Sequence, residues 1–364
     1  MMYTEGKAKI RYHDKAFLNP DAKLSRDLSV AFVKSVADIK TRILDTTAAT
    51  GISGIRYYLE TGAKSLTLLD INRAAYLTAK RNLRFNRVKA VALNKSMQEF
   101  ANTTKEKFDV IDLDPFGSIS PNLFDLMKIA KNGTHMLLTA TDTAVLCGAH
   151  PKACVKIYDA RPLHNELCHE TGIRIMLGYV ARVAAQFNFG IDVLLAVSYM
   201  RYMRVFVRLN RGAKNTMNAL NNLGYVYYCN RCYYRTYETS IFPKQSLCAI
   251  CKNKLDISGK MWLGNLYDAD TIAGIRKNFL EDKSGKELRF LEILGNELDI
   301  PLYYLVPKLT KKLGIGAVSH VGLINELKES GFEASETHML GSSIRTNASI
   351  KDIERALKKT SKRY

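Results

Sequence analysis

Between residues 40 and 200, short apolar runs alternate with segments of helical periodicity, and several of the runs stop at an acid. Arg42-Ile43-Leu44-Asp45 and Ser65-Leu66-Thr67-Leu68-Leu69-Asp70 are two of them. A third, Phe108-Asp109-Val110-Ile111, leads directly into Asp112-Leu113-Asp114-Pro115-Phe116-Gly117. Runs this short and this apolar read as buried strands. Asn72 to Phe85 carries apolar residues at helical spacing behind an asparagine suited to cap a helix. Lys89–Leu93, Thr134–Thr139, Ile191–Val197 and Arg204–Leu209 are further strand candidates. Strands that alternate with helices over such a length predict a doubly wound, Rossmann-like α/β domain, placed here at residues 1–210.

The chain has 364 residues, too many for one ordinary core. Its character changes near Arg211-Gly212-Ala213-Lys214, after which it is tyrosine-rich, cysteine-containing and basic, then helical. Residues 211–364 therefore read as a smaller α+β domain. Within it, Cys229-Asn230-Arg231-Cys232 and Cys248-Ala249-Ile250-Cys251 form two tight pairs with 15 residues between them. Four thiolates at that spacing predict a closed, structural zinc site of ribbon type. It would staple a hairpin carrying Tyr225, Tyr227, Tyr228, Tyr233, Tyr234 and Tyr237. Residues 302–345 read as a winged-helix-like unit, with helices at Leu309–Leu313 and Ala317–Ser330, the second turning Val321, Ile324 and Leu327 inward and ending at Gly331. Thr337–Thr346 would be its wing.

Net charge is +19, which calls for a polyanionic partner, nucleic acid first. The basic segments Arg201–Lys214, Lys244–Lys260 and Lys351–Arg363 are the expected phosphate contacts. No apolar, charge-free stretch of about 20 residues occurs, so no membrane span is expected. The N-terminus lacks a signal-peptide core, which implies a reducing, cytoplasmic location. Nothing in the sequence calls for an obligate protein partner.

Asp45-Thr46-Thr47-Ala48-Ala49-Thr50-Gly51-Ile52-Ser53-Gly54 follows the first strand and opens a helix. Small residues there let a ligand approach the backbone, and Asp70, at the end of the next strand, is placed to accept both hydroxyls of a ribose. The loop lacks the G-x-G-x-x-G pyrophosphate cradle, which favours S-adenosylmethionine over a nicotinamide dinucleotide. At Asp114-Pro115-Phe116-Gly117, a carboxylate next to a proline without an N–H makes a cluster of acceptors suited to an exocyclic amine, and Phe116 offers a stacking surface. Cys147, Cys154, Cys168, His150, His164 and His169 form a looser set that could hold a second metal. Only Cys168-His169 are adjacent, so core thiols and surface histidines are the expected reading.

Asn19-Pro20, Ser25-Arg26-Asp27, Ala49-Thr50-Gly51-Ile52, Asp112-Leu113-Asp114-Pro115-Phe116-Gly117 and Thr139-Ala140-Thr141-Asp142 closely resemble stretches of one family. So do Leu146-Cys147-Gly148-Ala149-His150-Pro151, Glu166-Leu167-Cys168-His169-Glu170 and Thr337-His338. That family is the tRNA (guanine-26-N2)-dimethyltransferases, archaeal branch. The resemblance runs nearly end to end and implies S-adenosylmethionine-dependent mono- and dimethylation of a tRNA guanosine. It implies Asp114 as the catalytic carboxylate and Phe17 with Phe116 as the pair that sandwiches a flipped guanine, beside Pro115. Arg26 and Asp70 are the implied cofactor contacts, within an expected set of Arg26, Asp45, Gly51, Ser53, Asp70, Met97 and Gln98. Family members carry arginine where Ser53 stands, and an acid followed by alanine where Met97-Gln98 stand; Arg56 and Glu99 are the neighbours that could take over. Two other readings are open: another nucleic-acid amino-methyltransferase, and a zinc-ribbon RNA-binding protein whose Rossmann domain is inactive.

Overall fold

The computed structural model describes residues 1–12, 17–279 and 285–362. Arg363, the last residue of the expected basic tail, lies outside them. A hairpin of β1 (Met2–Glu5) and β2 (Ala8–Arg11) precedes helix α1 (Lys23–Val36). Strands and helices then alternate as β3 (Arg42–Asp45), α2 (Ile52–Glu60), β4 (Ser65–Leu69), α3 (Arg73–Phe85), β5 (Val91–Leu93), α4 (Met97–Thr103), β6 (Val110–Leu113), α5 (Ser120–Ile129) and β7 (His135–Ala140). Two short helices, α6 (Thr143–Leu146) and α7 (Pro151–Tyr158), and the long α8 (Cys168–Gln186) lead to β8 (Phe189–Tyr199) and β9 (Tyr202–Arg211).

These strands make one seven-stranded sheet in the order β5-β4-β3-β6-β7-β9-β8. The neighbours from β5 to β7 are parallel, and β9 runs antiparallel to both β7 and β8. The strand order reverses at β3, which pairs with β4 on one side and β6 on the other. That reversal opens a crevice at the carboxyl ends of the strands, where α/β sheets hold their ligands. The Rossmann-like reading is correct, and Asn72 caps α3 as expected, accepting from the Ala74 and Ala75 amides at 2.8 and 3.3 Å. Gly54 lets α2 lie close to the sheet, since a Cβ there would stand 2.3 Å from Leu68 Cδ2.

Beyond β9 come α9 (Ala213–Leu220) and an antiparallel sheet of β10 (Leu223–Tyr228), β11 (Arg235–Thr239) and β12 (Asp256–Trp262), in the order β11-β10-β12. Next are α10 (Ala269–Phe279), α11 (Gly285–Asn296), β13 (Tyr304–Leu305), α12 (Val306–Leu313), α13 (His320–Glu329), β14 (Ala334–Glu336), β15 (Ser343–Thr346) and α14 (Ile350–Thr360). From β13 to β15 the order is helix, helix, hairpin, around a core of Val306, Leu309, Leu323, Ile324, Leu327 and Ile344 that α14 completes. One expected inward residue is wrong. Val321 is 46% exposed and Leu323 is buried instead, because α13 (starting at His320, later than expected) turns the Leu323–Ile324–Leu327 face toward β14 and α14.

Composition changes at Arg211, where β9 ends, yet the apolar core continues past it. Leu223, Met261, Trp262, Leu266, Ile272, Ile275 and Phe279 belong to the same buried cluster as the large sheet. Helix α8 meets β12 backbone to backbone at Gly178, where a Cβ would lie 3.0 Å from Met261 Cα. A buried ion network ties the same halves together. Arg345 on β15 pairs with Glu170 of α8 at 2.9 Å and with Glu297 at 2.5 Å, Glu170 also holds Arg174 at 2.8 Å, and Glu297 holds His338 at 2.6 Å. Removing one member of such a network leaves buried charge uncompensated. Arg345→Ala should therefore lower unfolding free energy by about 3–5 kcal/mol in chemical denaturation, whereas the exposed Arg355→Ala should change it by less than about 0.5 kcal/mol.

Candidate active site at the carboxyl edge of the sheet

The ends of β3, β4 and β6 deliver four carboxylates to one edge. Asp45 and Asp112 stand side by side in register across β3 and β6, Asp70 follows β4, and Asp114 follows β6. Asp45 is buried and accepts from the Gly54 amide at 3.1 Å. Burial, followed by repulsion from Asp112, Asp114 and Asp70, pushes its carboxyl well above the usual carboxylate range. Asp45 thus lies beneath the crevice and holds the start of α2.

Asp70 shapes the loop between β3 and α2. Its two oxygens accept the Ala49 amide and the Asn72 amide, each at 2.8 Å. The loop passes through left-handed backbone at Ala49 (φ +46°) and Gly51 (φ +81°), the second being where glycine carries no Cβ penalty. Each Asp70 oxygen keeps a lone pair that can accept a hydroxyl. Burial raises the Asp70 carboxyl, while the two amides moderate the rise. Asn94 donates to the carbonyls of Asp70 and Ile71, both at 2.9 Å, and so brings the turn before Met97-Gln98 alongside.

Asp114 is exposed at the surface, and its carboxylate lies in the field of Arg204 and Asp112 with a hydrogen bond to Thr139. Its loop is pinned on both flanks. The Asp114 amide donates to Thr47 Oγ1 at 3.0 Å, the Gly117 amide to Thr141 Oγ1 at 2.7 Å, and the Thr141 amide to the Gly117 carbonyl at 2.9 Å. Removal from solvent raises the Asp114 carboxyl, Asp112 adds to the rise, and Arg204, a Thr139 hydrogen bond and Arg26 restrain it. Phe116 is 77% exposed and Phe17 54%, and the rings meet edge to face at 4.7 Å between centroids. The structure brings the expected pair together but leaves no gap between them. A base held there requires the rings to part and turn parallel.

Several other expected residues are engaged in the fold. Arg26 is buried and bidentate to Glu5, with Nε at 2.8 Å from Oε1 and Nη2 at 2.6 Å from Oε2. Its Nη1 bonds the Asn19 carbonyl at 3.0 Å. Arg56 does not replace the arginine missing at Ser53. It is buried among Glu5 at 2.6 Å, Asp27 at 2.7 Å and Glu60 at 2.9 Å, so its donors are spent inside the protein. Ser53 sits half-buried in the first turn of α2, Met97 is buried, and Gln98 is exposed. Glu99 is also exposed, paired with Lys95 at 3.5 Å.

The residue that sequence reasoning missed is Arg204. Counted there among phosphate-tracking cations, it is buried on β9, with Nη1 2.5 Å from Thr139 Oγ1 and Nη2 2.8 Å from both Ser29 Oγ and Asp112 Oδ1. Tyr57 donates to the other Asp112 oxygen at 2.5 Å. A signal was present. An arginine inside Tyr202-Met203-Arg204-Val205-Phe206-Val207 must find a buried acid, and a strand in the middle of a sheet offers no route to solvent.

Away from this edge, Cys229, Cys232, Cys248 and Cys251 converge with all four sulfurs within 4.8 Å of one another. Two matching turns present them. The Tyr233 amide bonds the Cys229 carbonyl at 2.9 Å and the Lys252 amide the Cys248 carbonyl at 3.0 Å, with Tyr233 and Lys252 both in left-handed backbone. Four soft donors around one point suit a thiophilic cation.

Residues 1–358 match the family described as N2,N2-dimethylguanosine tRNA methyltransferase. The chain belongs to that family. It is 37% identical over 94% of its length to a tRNA (guanine(26)-N(2))-dimethyltransferase of Pyrococcus furiosus, 92% of which is covered. It is 32% identical over 96% of its length to the one from Methanothermobacter thermautotrophicus, covering 94% of that protein. Among solved structures, Trm1 from Pyrococcus horikoshii in complex with S-adenosyl-L-methionine superposes with a TM-score of 0.90 at 33% identity, over 98% of this chain and 99% of that one. The match therefore extends beyond the large sheet, through the three-stranded sheet and the described elements that follow it. In this family member, Arg204 should act as a strut for the site. Arg204→Gln should cost about 3–5 kcal/mol of stability, seen by denaturation, while Arg208→Gln, which breaks only the exposed pair with Asp192, should cost about 1 kcal/mol or less.

Proposed function

We propose that this protein transfers methyl groups from S-adenosylmethionine to the exocyclic N2 of guanosine 26 in tRNA, forming N2-methyl- and then N2,N2-dimethylguanosine. The observation that carries the reading is the Asp114-Pro115-Phe116 turn on the same sheet edge as Asp70, with Phe17 against Phe116. The crevice suits the methyl donor. Asp70 retains acceptor capacity for two ribose hydroxyls, Gly51 and Gly54 keep the backbone uncovered, and no phosphate cradle stands in the loop. When bound, S-adenosylmethionine supplies an electrophilic methyl group on sulfonium.

In this reading the protein's own residues do the following. Asp70 binds the ribose, while Gly51, Ser53, Met97 and Gln98 line the cofactor's place, with Asp45 and Arg26 fixing the walls from behind. In the first transfer the Asp114 carboxylate and the Pro115 carbonyl accept hydrogen bonds from the two N2 N–H groups, which turns the nitrogen lone pair out of conjugation with the ring. Asp114 then accepts the released proton. Its raised pKa makes it a better acceptor than an ordinary aspartate. Phe17 and Phe116 separate to stack on a base that has left the tRNA core, recovering about 1–3 kcal/mol per base. Cys229, Cys232, Cys248 and Cys251 would hold a zinc ion through four thiolates, a ligand set that would stabilise the ribbon and supply nothing to the transfer. Among the basic residues offered to tRNA, Arg211, Lys214, Lys252, Lys254, Lys351 and Lys358 are exposed. No helix among the described residues is long and apolar enough to cross a membrane, and the reaction belongs in the cytoplasm with tRNA.

Nucleoside mass spectrometry of tRNA treated with the protein and methyl donor tests the activity. Asp114→Asn should fold and bind cofactor normally but lose about two orders of magnitude in transfer. The active form of Asp114 is the carboxylate, so single-turnover rate should rise with pH through its pKa and level off above it. Because that pKa is raised, the acid limb should lie above the ordinary aspartate value of about 3.9, and Asp114→Asn should abolish it. A limb unchanged in the variant would assign the proton elsewhere. For Asp70→Ala, calorimetry should show S-adenosylmethionine bound more weakly by about 1.5–3 kcal/mol.

A further inference from the structure

Three soft donors meet where the loop after β7 crosses the first turn of α8. The sulfurs of Cys147 and Cys168 and a ring nitrogen of His169 all lie within 4.8 Å of one another. Cys147 Sγ is 3.9 Å from His169 Nδ1, and Ser198 Oγ is 3.3 Å from the same nitrogen. Cys154, in the core, and His150 and His164, at the surface, follow the sequence reading. Cys147, Cys168 and His169 do not, for each is only half-buried and together they face one point.

The backbone holds this arrangement. The Cys147 amide donates to the Thr143 carbonyl at 2.7 Å, and the His164 ring Nδ1 lies 3.0 Å from the Cys147 carbonyl oxygen. At Gly148 (φ +85°) a Cβ would stand 2.7 Å from the Leu163 carbonyl oxygen, so only glycine lets the two segments come this close. Two thiols and an imidazole without a carboxylate form a donor set that selects zinc over magnesium or calcium. We infer that Cys147, Cys168 and His169 bind a second zinc ion, separate from the four-cysteine site, with the fourth position left to water. The ion displaces two thiol protons, and neutral His169 presents Nδ1 while its proton sits on Nε2. Three protein ligands and solvent access are the pattern of an open zinc site. Its place gives it a positioning role. Thr141, at the start of this loop, exchanges hydrogen bonds with Gly117 of the Asp114 loop, so a staple between Cys147 and α8 braces that loop from behind.

The test is metal analysis of the full-length protein purified without chelators, with X-ray absorption at the zinc edge. Wild type should hold two zinc ions per chain with mixed sulfur and nitrogen/oxygen ligation. Cys147→Ser should lose one and become all-sulfur, while Cys229→Ser should keep the mixed site. Wild-type zinc that is all-sulfur at one ion per chain, or Cys147→Ser with undiminished content, overturns the proposal. The wild-type spectrum alone decides it if either variant fails to fold.

Discussion

Four carboxylates crowd one edge of the sheet, and the buried guanidinium of Arg204 is what makes that crowding tolerable. It reaches Asp112 at 2.8 Å from the antiparallel strand β9, which the fold inserts between β7 and β8. Without a cation there, the Asp112 carboxylate would be buried beside Asp45 with no positive partner. With it, Asp112 serves as an ion-paired acceptor for Tyr57, Asp45 stays high in pKa as a scaffold, and Asp114 is raised but restrained. Similar carboxylates at neighbouring positions thereby take different roles, set by what each one touches.

The other buried charges are organised in the same way and do different work. Glu5 of the first hairpin accepts from both Arg26 and Arg56, which fastens β1 to α1 and α2 and so closes one wall of the crevice. Arg345, Glu170 and Glu297 join the last third of the chain to α8. A buried pair is not in itself a strong source of stability, but it allows one arrangement of its elements and penalises others. The net charge of +19 therefore comprises two populations. Buried Arg26, Arg56, Arg174, Arg204 and Arg345 are spent on carboxylates, whereas Arg211, Lys214, Lys252, Lys254, Lys351 and Lys358 lie at the surface of the second half.

The aromatic pair differs from the rest of the site in being closed. Phe17 and Phe116 shield each other from water at 4.7 Å, which recovers some of the cost of exposing two large rings on an otherwise polar rim. The walls and the acceptors are in place beforehand, held by Thr47, Thr141 and Asp70. In the proposed reaction, base entry would exchange one ring–ring contact for two ring–base contacts.

The strand ends were legible because apolar runs that stop at an acid are local, and locality is what a sequence records best. Asp45, Asp70 and Asp114 could be placed at one edge from alternation alone, since parallel strands linked by helices must all end on the same side. The four-cysteine cluster was equally plain, being two short-range pairs. Sequence alone could not give the partners of a charge. Arg56 looked free to replace a missing arginine and Arg204 looked free to meet phosphate, yet both are spent on acids far away in the chain. Val321 turned outward because the register of α13 is set by its packing against β14 and α14. Cys147 met Cys168 and His169 only because Gly148 lets two distant segments touch. Periodicity and spacing determine which residues share a strand end, a helix face or a turn. Which buried group neutralises which is decided by contacts across the folded chain, where the cost of an unpaired charge selects the partner.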